Sequence, residues 1–453
     1  MVHLLQSENS KFTKIMNRRN FIKSSLFAAA LPTILPSSVF GQSAPSKRIN
    51  VAFIATGDRA NQILGGALAN PDCKVVGGCD PKPAHIDKTI ARINAHYSNN
   101  DAKKYKDYRE VIADPNVDAV FIVTPDHNHT PIAIAAAQAG KHVYCEKGLS
   151  VAMNWRQQLR KTLIETGVTF QYGTQQRSEY YTGRAVEFVR NGYIGNLKEV
   201  IINSPCIGGN SIPPPAQPIP DGFDYDQWIG VAPMVEYHQS RVSQNGGWHI
   251  YDYALGFLAG WGAHPLDLAQ FAMNTDDTGP IKIEGTGMLP TAGIFDTVYD
   301  WDILLSYENK VKCKFSTPKH VRNHLQAYTF NNTALPQVVF VGDEGYIGVD
   351  RGWISYSNPK LEKVVLRPSD WRVSRLSRRL YDHTANFINC CKSGDTPVSN
   401  FEAAIRSDTI SHLSDVVVRT GKSMSWNPKT ELAESDIQNK MMLRSMRKEW
   451  AVF

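Results

Sequence analysis

The sequence has no long apolar run and few cysteines. An apolar stretch at residues 26–31 is soon interrupted by Pro32 and Pro36, which makes it too short and too broken to span a bilayer as a stable helix. The 7 cysteines are odd in number and match no metal-binding spacing, and the histidines are equally scattered. We therefore expect buried free thiols, no metal site and no stable membrane anchor.

The chain also lacks a concentration of charge of one sign. Its formal net charge of +6 depends largely on residues 1–44, which hold five basic residues and one acidic residue. The remainder of the chain has 44 basic and 42 acidic side chains, so its charge is nearly balanced. Nucleic-acid binding requires a concentrated basic face, and we expect no nucleic acid among the partners.

Residues 1–44 resemble a twin-arginine export signal. Arg18 and Arg19 stand before Phe21 and Lys23, and the short apolar stretch follows them. A basic surface patch before a buried helix is the alternative interpretation. The resemblance favours a signal peptide over residues 1–44, and it implies a mature protein that is periplasmic or otherwise exported.

The rest of the chain is too long for one compact core, so we expect two domains. From residue 49 to residue 172, apolar strands alternate with helices, which indicates βαβ units and a parallel sheet. After residue 172, shorter strands separated by turns indicate an open, mostly antiparallel sheet. The sequence thus predicts an α/β domain over residues 45–172 and an α+β domain over residues 173–430.

Two segments depart from this regular pattern. Residues 204–247, here called the insertion, form a long irregular stretch rich in proline, and loops of that length in compact domains are usually functional. Residues 431–453, here called the tail, are basic. Within the tail, we expect residues 439–448 to form a solvated surface helix.

The first strand-to-helix turn carries part of a dinucleotide-binding pattern. It reads Ala55-Thr56-Gly57-Asp58-Arg59, and of Gly-x-Gly-x-x-Gly only the middle glycine is present. That glycine lets the backbone approach a pyrophosphate, and the amides at the start of the following helix favour phosphate. We therefore expect Gly57, Asp58 and Arg59 to bind a cofactor.

An acidic residue in the expected place specifies the cofactor further. Asp80 ends the second strand, 23 residues after Gly57. A carboxylate there binds both ribose hydroxyls and repels a 2′-phosphate, which favours NAD over NADP. The alternative is a turn residue before Pro81, but the agreement of turn, strand and acid favours the cofactor.

Three further motifs follow along the chain. They are TPDHNH at residues 124–129, GKHVYCEKG at residues 140–148 and GFLAGWGAHPLD at residues 256–267. Together they resemble the glucose-fructose oxidoreductase, inositol dehydrogenase and MocA family, and in particular its exported branch. The resemblance runs from about residue 48 to residue 428. It implies a Rossmann fold for the first domain and an open sheet that covers the nicotinamide for the second.

The resemblance also implies roles for individual residues. Lys147 takes the position of a lysine beside the substrate hydroxyl, and His264 that of a histidine that contributes to proton transfer. A histidine titrates near neutral pH, the useful range for a general base. Cofactor-lining positions are also implied for Thr124, Pro125, His129 and Glu146.

Two positions depart from the family pattern. Gly148 replaces the proline of a Glu-Lys-Pro motif, and Gly260 replaces an aspartate four residues before His264. Asp267, Asp252 and Tyr253 are the candidates to supply the missing group, and we assign a catalytic role to Asp267.

Aromatic residues are frequent in the insertion and just after it. Sugars stack their C–H faces on such rings and bind polar side chains at their edges. The expected substrate-binding residues are Arg177, Trp248, His249, Tyr251 and Asp252. The alternative is that most of the rings are packing residues.

These observations predict an exported NAD-dependent oxidoreductase that acts on a sugar, a polyol or a glycoside. Outside the cytoplasm no free pool of the cofactor is evident, so we expect NAD to be bound tightly and recycled in place. One alternative is an NAD-dependent glycoside hydrolase or lyase that works by oxidation, elimination and reduction. The other is a redox-inactive sugar-binding protein. The resemblance further implies a homo-oligomer that pairs through the C-terminal sheet.

Overall fold

The computed structural model describes residues 48–206, 215–373 and 382–453. The predicted signal peptide lies outside the described residues, as do residues 207–214 of the insertion. Among the described residues, no helix combines the length and the apolar character needed to cross a bilayer. All of them belong to one unit, Pro45–Phe453.

The first domain is built on a parallel sheet of six strands. They are Ile49–Ile54 (β1), Cys73–Cys79 (β2), Lys103–Lys104 (β3), Ala119–Ile122 (β4), His142–Cys145 (β5) and Phe170–Tyr172 (β6). The order is β3-β2-β1-β4-β5-β6, and every neighbouring pair is parallel. Apolar side chains of β1 pack into separate clusters on the two faces, as a sheet covered by helices on both sides requires. The predicted Rossmann domain is confirmed.

Five helices connect these strands. They are Asp58–Ala69 (α1), Pro83–Tyr97 (α2), Tyr108–Ala113 (α3), Asp126–Gln138 (α4) and Met153–Thr166 (α5). The sequence predicts that the fourth helix starts at Pro131, but α4 begins at Asp126 and contains the proline. A proline inside a helix removes one backbone hydrogen bond, and here the burial of α4 on nearly all sides offsets that loss.

Short helices follow β6 along the chain. After the 3-10 helix Gln175–Ser178 come Tyr180–Arg190 (α6), Tyr225–Ile229 (α7) and Gln244–His249 (α8). The aromatic residues in and near the insertion form an apolar cluster of their own, with the members Phe223, Tyr225, Trp228, Ile229, Ala232, Tyr237, Ile250 and Tyr253. Most of these rings therefore pack against one another, as the alternative interpretation of this region supposes.

The second domain is built on a mixed sheet of nine strands. They are Leu197–Asn203 (β7), Lys282–Met288 (β8), Asp300–Ser306 (β9), Lys312–Ser316 (β10), Val338–Gly342 (β11), Tyr346–Asp350 (β12), Trp353–Tyr356 (β13), Met424–Asn427 (β14) and Leu432–Ala433 (β15). Their order is β13-β12-β11-β7-β10-β9-β8-β14-β15. The pair of β7 and β10 is parallel and the other neighbours are antiparallel. The predicted open, mostly antiparallel sheet is confirmed.

Most of the described helices of this domain lie against the second sheet, whereas the helix of residues 383–393 packs on the first domain through Phe387, Ile388 and Cys391. The helices are Phe257–Gly260 (α9), Ala263–Met273 (α10), Pro318–Leu325 (α11), Pro359–Glu362 (α12), His383–Ser393 (α13) and Phe401–Thr420 (α14). Helices α10 and α14 pack against each other and against the main apolar core of the sheet. Helix α11 covers part of the opposite face, over Ile201 and Val339.

A buried ion pair joins α14 to the first domain. Arg156 of α5 donates from Nη1 to Oδ2 of Asp408 at 3.1 Å, and both side chains are 1% exposed. The other carboxylate oxygen of Asp408 accepts the backbone N–H of Leu149 at 3.1 Å. The turn after β5 is therefore held against the second domain.

The tail differs from its predicted form. Its helix, Asp436–Met441 (α15), is followed by residues 442–447 without helical structure and by a 3-10 turn, Lys448–Trp450. The carbonyl of Arg444 accepts hydrogen bonds from the side chains of Asn154 and Trp155, each at 3.0 Å. The prediction of a solvated surface helix over residues 439–448 is wrong, because the backbone here bonds to the first domain instead.

The buried ion pair generates a prediction about stability. In Asp408→Asn the volume is kept but the guanidinium of Arg156 loses its counter-charge inside the protein, so we expect the free energy of unfolding to fall by about 3–5 kcal/mol. Urea unfolding followed by circular dichroism measures this change. The matched control is Glu165→Gln on α5, whose exposed partner Lys161 lies 4.0 Å away. A change as small in Asp408→Asn as in the control would contradict the prediction.

Candidate functional site

A cleft of about 950 Å³ opens at the carboxyl ends of the parallel strands. Ligands of open α/β sheets bind at this edge, and the volume is in the range of small-molecule and cofactor sites. Side chains from the first domain, the insertion, the second domain and the tail all line it. The predicted site residues among them are Gly57, Asp58, Arg59, Asp80, Thr124, Pro125, Glu146, Lys147, Trp248 and His264.

The turn after β1 leaves room for a ligand at the start of α1. Gly57 is the N-cap of this helix, and a Cβ added to it would meet only the ring of His85, at 3.8 Å. The packing of the protein itself therefore does not demand a glycine, whereas close approach of a phosphate does. Ala55, at the first glycine position of the pattern, adopts a left-handed backbone with φ of 65°. The turn thus has the shape of the glycine-rich fingerprint with fewer glycines.

Asp80 is held in place by the same turn. One of its oxygens accepts the backbone N–H of Thr56 at 2.7 Å, and the other accepts the N–H of Lys82 at 2.8 Å. Oδ2 also accepts the hydroxyl of Thr56 at 3.3 Å, whereas Oδ1 keeps a further lone pair for a hydrogen bond. The carboxylate can therefore accept hydrogen bonds from a ribose while the backbone fixes its orientation.

Five buried polar atoms of the cleft lining have no hydrogen-bond partner among the described residues. They are Arg59 Nε, Thr124 Oγ1, Asp126 Oδ2, Trp261 Nε1 and His264 Nδ1. Buried polar groups are normally paired, and a group of unpaired ones around a cavity indicates a site that a polar ligand or water completes. A cofactor with phosphate, ribose and amide groups, together with a hydroxylated substrate, fits such a lining.

The strand-end residues after β5 form an ion-paired base for the site. Arg59 Nη2 donates to Glu146 Oε1 at 2.8 Å. Burial alone would raise the pKa of Glu146, but the guanidinium of Arg59 and then the ammonium of Lys147 hold it below its usual value. Glu146 is therefore an anion that balances two neighbouring cations. The ammonium of Lys147 lies 5.8 Å from the ring centre of Trp248.

His264 lies in the first turn of α10 and is 3% exposed. Burial, and after it the positive charges of Lys147 and Arg351, hold its pKa well below the usual value. The expectation that it titrates in the neutral range is therefore not met. The imidazole is neutral at physiological pH and offers a hydrogen-bond acceptor to the cleft.

Asp126 is a cleft residue that sequence reasoning missed. It is the first residue of α4, it is 5% exposed, and it lines the cleft together with Lys147 and His264. Burial raises its pKa to about 7, although the Lys147 ammonium acts in the opposite direction. Asp126 belongs to the TPDHNH motif, but a helix that starts at Pro131 would leave this residue in the preceding loop, where the direction of its side chain is not defined.

Some predicted residues lie behind the cleft rather than in its lining. His129 is buried, and its Nδ1 is 2.6 Å from the carbonyl oxygen of Gly148, so it supports the turn that carries Lys147. Arg177 donates from Nε and Nη2 to both carboxylate oxygens of Asp267 at 2.6 and 2.7 Å. This bidentate pair is 1% exposed on both sides and fixes α10 internally. Neither member of the pair contributes to the lining.

The other predicted substrate residues are also outside the cleft lining. His249 packs between the rings of Phe257 and Phe295, and burial lowers its pKa to about 4. Tyr251 is sandwiched by two guanidinium groups of the second domain and the tail, and Asp252 is exposed. Of the three groups proposed to replace the missing aspartate, Asp267, Asp252 and Tyr253, none lines the cleft.

The opposite end of the cleft is lined by aromatic residues that the sequence did not single out as a group. Tyr108 at the start of α3, Trp228 of α7 and Trp450 of the tail all contribute to the lining. Tyr108 follows β3 and Lys147 follows β5, and three strands separate β3 from β5 in the sheet. Tyr108 therefore lies far from Lys147 along the sheet edge.

Family models match nearly all of the first domain and part of the second. The model described as "Oxidoreductase family, NAD-binding Rossmann fold" of the GFO_IDH_MocA group matches residues 49–174. The model described as "Oxidoreductase family, C-terminal alpha/beta domain" matches residues 207–315.

Individual relatives agree with these matches. The chain is 36% identical to myo-inositol 2-dehydrogenase of Thermotoga maritima over 22% of this chain and 30% of that protein. It is 29% identical to a glycosyl hydrolase family 109 protein of Stenotrophomonas maltophilia over 40% of each. The chain thus matches less than half the length of these curated relatives.

Solved structures share the fold. The WlbA dehydrogenase from Bordetella pertussis, in complex with NADH and UDP-GlcNAcA, superimposes with a TM-score of 0.59 at 16% identity. The match covers 84% of this chain and 98% of that one. At this identity the likeness concerns the fold alone.

The burial of His264 generates a second prediction. Because the folded protein holds the imidazole neutral, its NMR resonances should not shift between about pH 8 and about pH 5.5, whereas a water-exposed histidine titrates in this range. Selective ¹³C labelling of histidine, with His264→Gln for assignment, measures this. A titration midpoint near 6.5 for the His264 signal would show that the imidazole is solvated and would contradict the geometry.

Proposed function

Because the chain belongs to the Gfo/Idh/MocA oxidoreductase family, we propose that it is an exported NAD-dependent oxidoreductase. It acts on a CH–OH group of a sugar, a polyol or a glycoside, and its cofactor stays bound through the catalytic cycle. The observation that carries the proposal is the single cleft that joins the dinucleotide turn to Lys147, Trp248 and His264.

The residues that would hold NAD follow the edge of the first sheet. The amides at the start of α1, beside Gly57, bind the pyrophosphate, and Asp80 binds the ribose hydroxyls. The carboxylate of Asp80 repels a 2′-phosphate, which favours NAD over NADP. When bound, NAD supplies the hydride acceptor for the alcohol carbon. Thr124, with its unpartnered hydroxyl, lines the path toward Lys147.

Lys147 and His264 handle the substrate hydroxyl. Oxidation removes a hydride from the carbon and a proton from the oxygen, so a side chain must take that proton. The neutral imidazole of His264 accepts the hydroxyl hydrogen bond and orients it, and the amino group of Lys147 takes the proton once it has given up one of its own. Trp248 provides an apolar face on which a sugar ring stacks.

The tail supports the proposal of a tightly held cofactor. Asp226 of α7 accepts hydrogen bonds from Arg447 Nη1 at 2.6 Å and from Trp450 Nε1 at 3.0 Å. We call this contact the clasp. Its indole lies next to Tyr108, with ring centres 6.2 Å apart, at the end of the cleft nearest β3. The insertion and the tail are thereby tied together over the adenine end of the proposed cofactor site.

Retention has a physical rationale in an exported enzyme. A cofactor that dissociates outside the cytoplasm is diluted and is not replaced, so each turnover must end with the cofactor still bound. Either a second substrate takes the hydride back, or the hydride returns to the molecule it came from. A closed cleft slows dissociation because the clasp must break before the adenosine can leave.

The cycle in which the hydride returns to the molecule it came from is an alternative function. A ketone formed on a glycoside acidifies the neighbouring C–H bond, so the glycosidic group can leave by elimination, and water can then add to the unsaturated ketone before the hydride returns. The position of Gly260, where the family pattern has an aspartate, and the similarity to a glycosyl hydrolase family 109 protein favour this cycle. In it the net reaction is hydrolysis and the cofactor is unchanged.

The second sheet supports the proposed homo-oligomer. Residues of its strands that alternate with core positions, such as Leu304 and Lys314, are only partly covered in the single chain. This sheet face is the surface through which we expect a second copy to pair.

The function is tested by analysing the purified exported protein for bound nicotinamide and then for turnover. We expect denaturation to release one nicotinamide dinucleotide per chain, detected by mass spectrometry. D-Xylose, myo-inositol and 4-nitrophenyl β-D-glucopyranoside are then added without free NAD. Absorbance of reduced nicotinamide supports the oxidoreductase, and nitrophenol release without net reduction supports the hydrolase cycle. Protein without nicotinamide and without turnover would be the redox-inactive binding protein.

The clasp generates a separate prediction about cofactor release. Asp226→Ala removes the acceptor of two hydrogen bonds, one of them to a guanidinium, and we expect NADH to dissociate about 10- to 100-fold faster. Stopped-flow displacement of NADH, followed by its fluorescence, measures the rate. The matched control is Glu449→Gln, an exposed neighbour of Trp450. Equal release rates in the two variants would show that the clasp does not retain the cofactor.

A further inference from the structure

A buried carboxyl group with one unpartnered oxygen lines the cleft together with Lys147. Oδ2 of Asp126 is inaccessible to solvent and has no hydrogen-bond partner among the described residues. A buried carboxyl group of this kind is costly unless a cation or a bound group completes it. The charges that act on it come from two elements besides its own helix. Lys147 and Glu146 face it from the end of β5, and Asp408 faces it from α14.

Only one of these charged groups favours an ionised Asp126. Asp408 and Glu146 are acidic and oppose it, and each is already engaged, Asp408 with Arg156 and Glu146 with Arg59. The ammonium of Lys147 attracts it. The geometry therefore couples the charge state of Asp126 to that of Lys147 more directly than to any other acid–base group named here.

The glycine after Lys147 is explained by this carboxylate. A Cβ added to Gly148 would lie 3.0 Å from Asp126 Oδ2, a contact tighter than nearly all that real Cβ atoms make. A larger residue at position 148 would push the carboxylate away. At Gly260, by contrast, an added Cβ would meet only Phe257 and Trp248, at 3.9 and 4.0 Å. The cleft thus has room for a side chain at position 260, whereas at position 148 Asp126 occupies the space.

From this arrangement we propose that Asp126 is the carboxylate partner of Lys147, a positioning residue that holds the lysine for proton transfer. The inference deepens the proposed function and rests on it. The Lys147 ammonium first passes one proton to the Asp126 carboxylate, and the resulting amine takes the O–H proton of the substrate, while the hydride passes from the carbon to the oxidised nicotinamide of the proposed cofactor. After the ketone has formed, the Asp126 carboxyl group releases its proton to water, and the ion pair of carboxylate and ammonium is restored.

Because Asp126 is buried, its carboxyl group changes charge near neutral pH. Since its pKa is raised to about 7, Asp126 is largely neutral below that pH and ionised above it. The rate of alcohol oxidation should therefore rise as pH increases through about 7, the direction in which the carboxylate forms. Glu146 keeps its charge over this range because Arg59 and Lys147 hold its pKa below the usual value despite its burial.

The first test is kinetic and uses three variants. With the fastest of D-xylose, myo-inositol and 4-nitrophenyl β-D-glucopyranoside, we expect Asp126→Asn to lower kcat by about 100-fold, while bound nicotinamide is retained. The rising limb near pH 7 should disappear in this variant. Asp126→Asn combined with Gly260→Asp should recover at least tenfold of the loss, because the new carboxylate enters the same cleft. Asp101→Asn, an exposed acid of the first domain, is the control.

A second test needs no substrate, so it separates this inference from the proposed function. Trinitrobenzenesulfonate labels only neutral amines, and peptide mass spectrometry measures its rate at Lys147. Loss of the carboxylate favours the neutral amine, so Asp126→Asn should speed labelling about tenfold, and Gly260→Asp should reverse this effect. Unchanged labelling, an unchanged pH profile, or loss of bound nicotinamide in Asp126→Asn would each overturn the inference. If Asp126→Asn is labelled faster than the wild type but the wild type turns over none of the probes, the proposed function alone is wrong.

Discussion

The buried contact of Asp408 with Arg156 and with the Leu149 N–H is the constraint on which the site depends. A carboxylate and a guanidinium removed from water cannot separate without a large cost, so α14 cannot shift relative to α5. The second domain is thereby fixed at the carboxyl ends of the first sheet. Two more hydrogen bonds hold the same turn from the other side, from His129 to the Gly148 carbonyl and from Thr130 Oγ1 to the Leu149 carbonyl. Lys147 is therefore presented to the cleft by a rigid backbone, as a preorganised site requires.

The cleft is closed at its two ends by different means. Near Lys147 the boundary is made by the second domain, through α9, α10 and the aromatic residues Trp248 and Trp261. Near β3 it is made by the insertion and the tail, which meet at Asp226. The tail lies outside the residues matched by the family models, 49–174 and 207–315. The closure near β3 therefore involves a segment that these models do not match, and Arg447 of that segment donates a hydrogen bond to Asp226.

Much of the site could be predicted where function coincides with local pattern. Gly57, Asp80 and Lys147 each follow a buried strand, and a parallel sheet brings such strand ends to one edge. His264 was found through the motif that contains it. Arg177 and Asp267 were misleading for a physical reason, since a charged residue looks the same in sequence whether it faces a ligand or an internal partner. Asp126 is not predicted because Pro131 favours a helix start at that position. The residues before it would then lie in a loop, and the orientation of their side chains could not be predicted.

Local pattern in the sequence is enough to predict most of the strands and helices, the parallel sheet, the edge at which a dinucleotide would bind and several of the residues at that edge. These properties depend on periodicity and turn chemistry, which are local. The burial of each charge, its partner and the closure of the cleft depend instead on long-range packing. Arg177 and Asp267 are 90 residues apart, and Asp226 and Trp450 are 224 residues apart. The state of a charged group depends on its desolvation and its partners, and both are set by chain segments that no local pattern brings together.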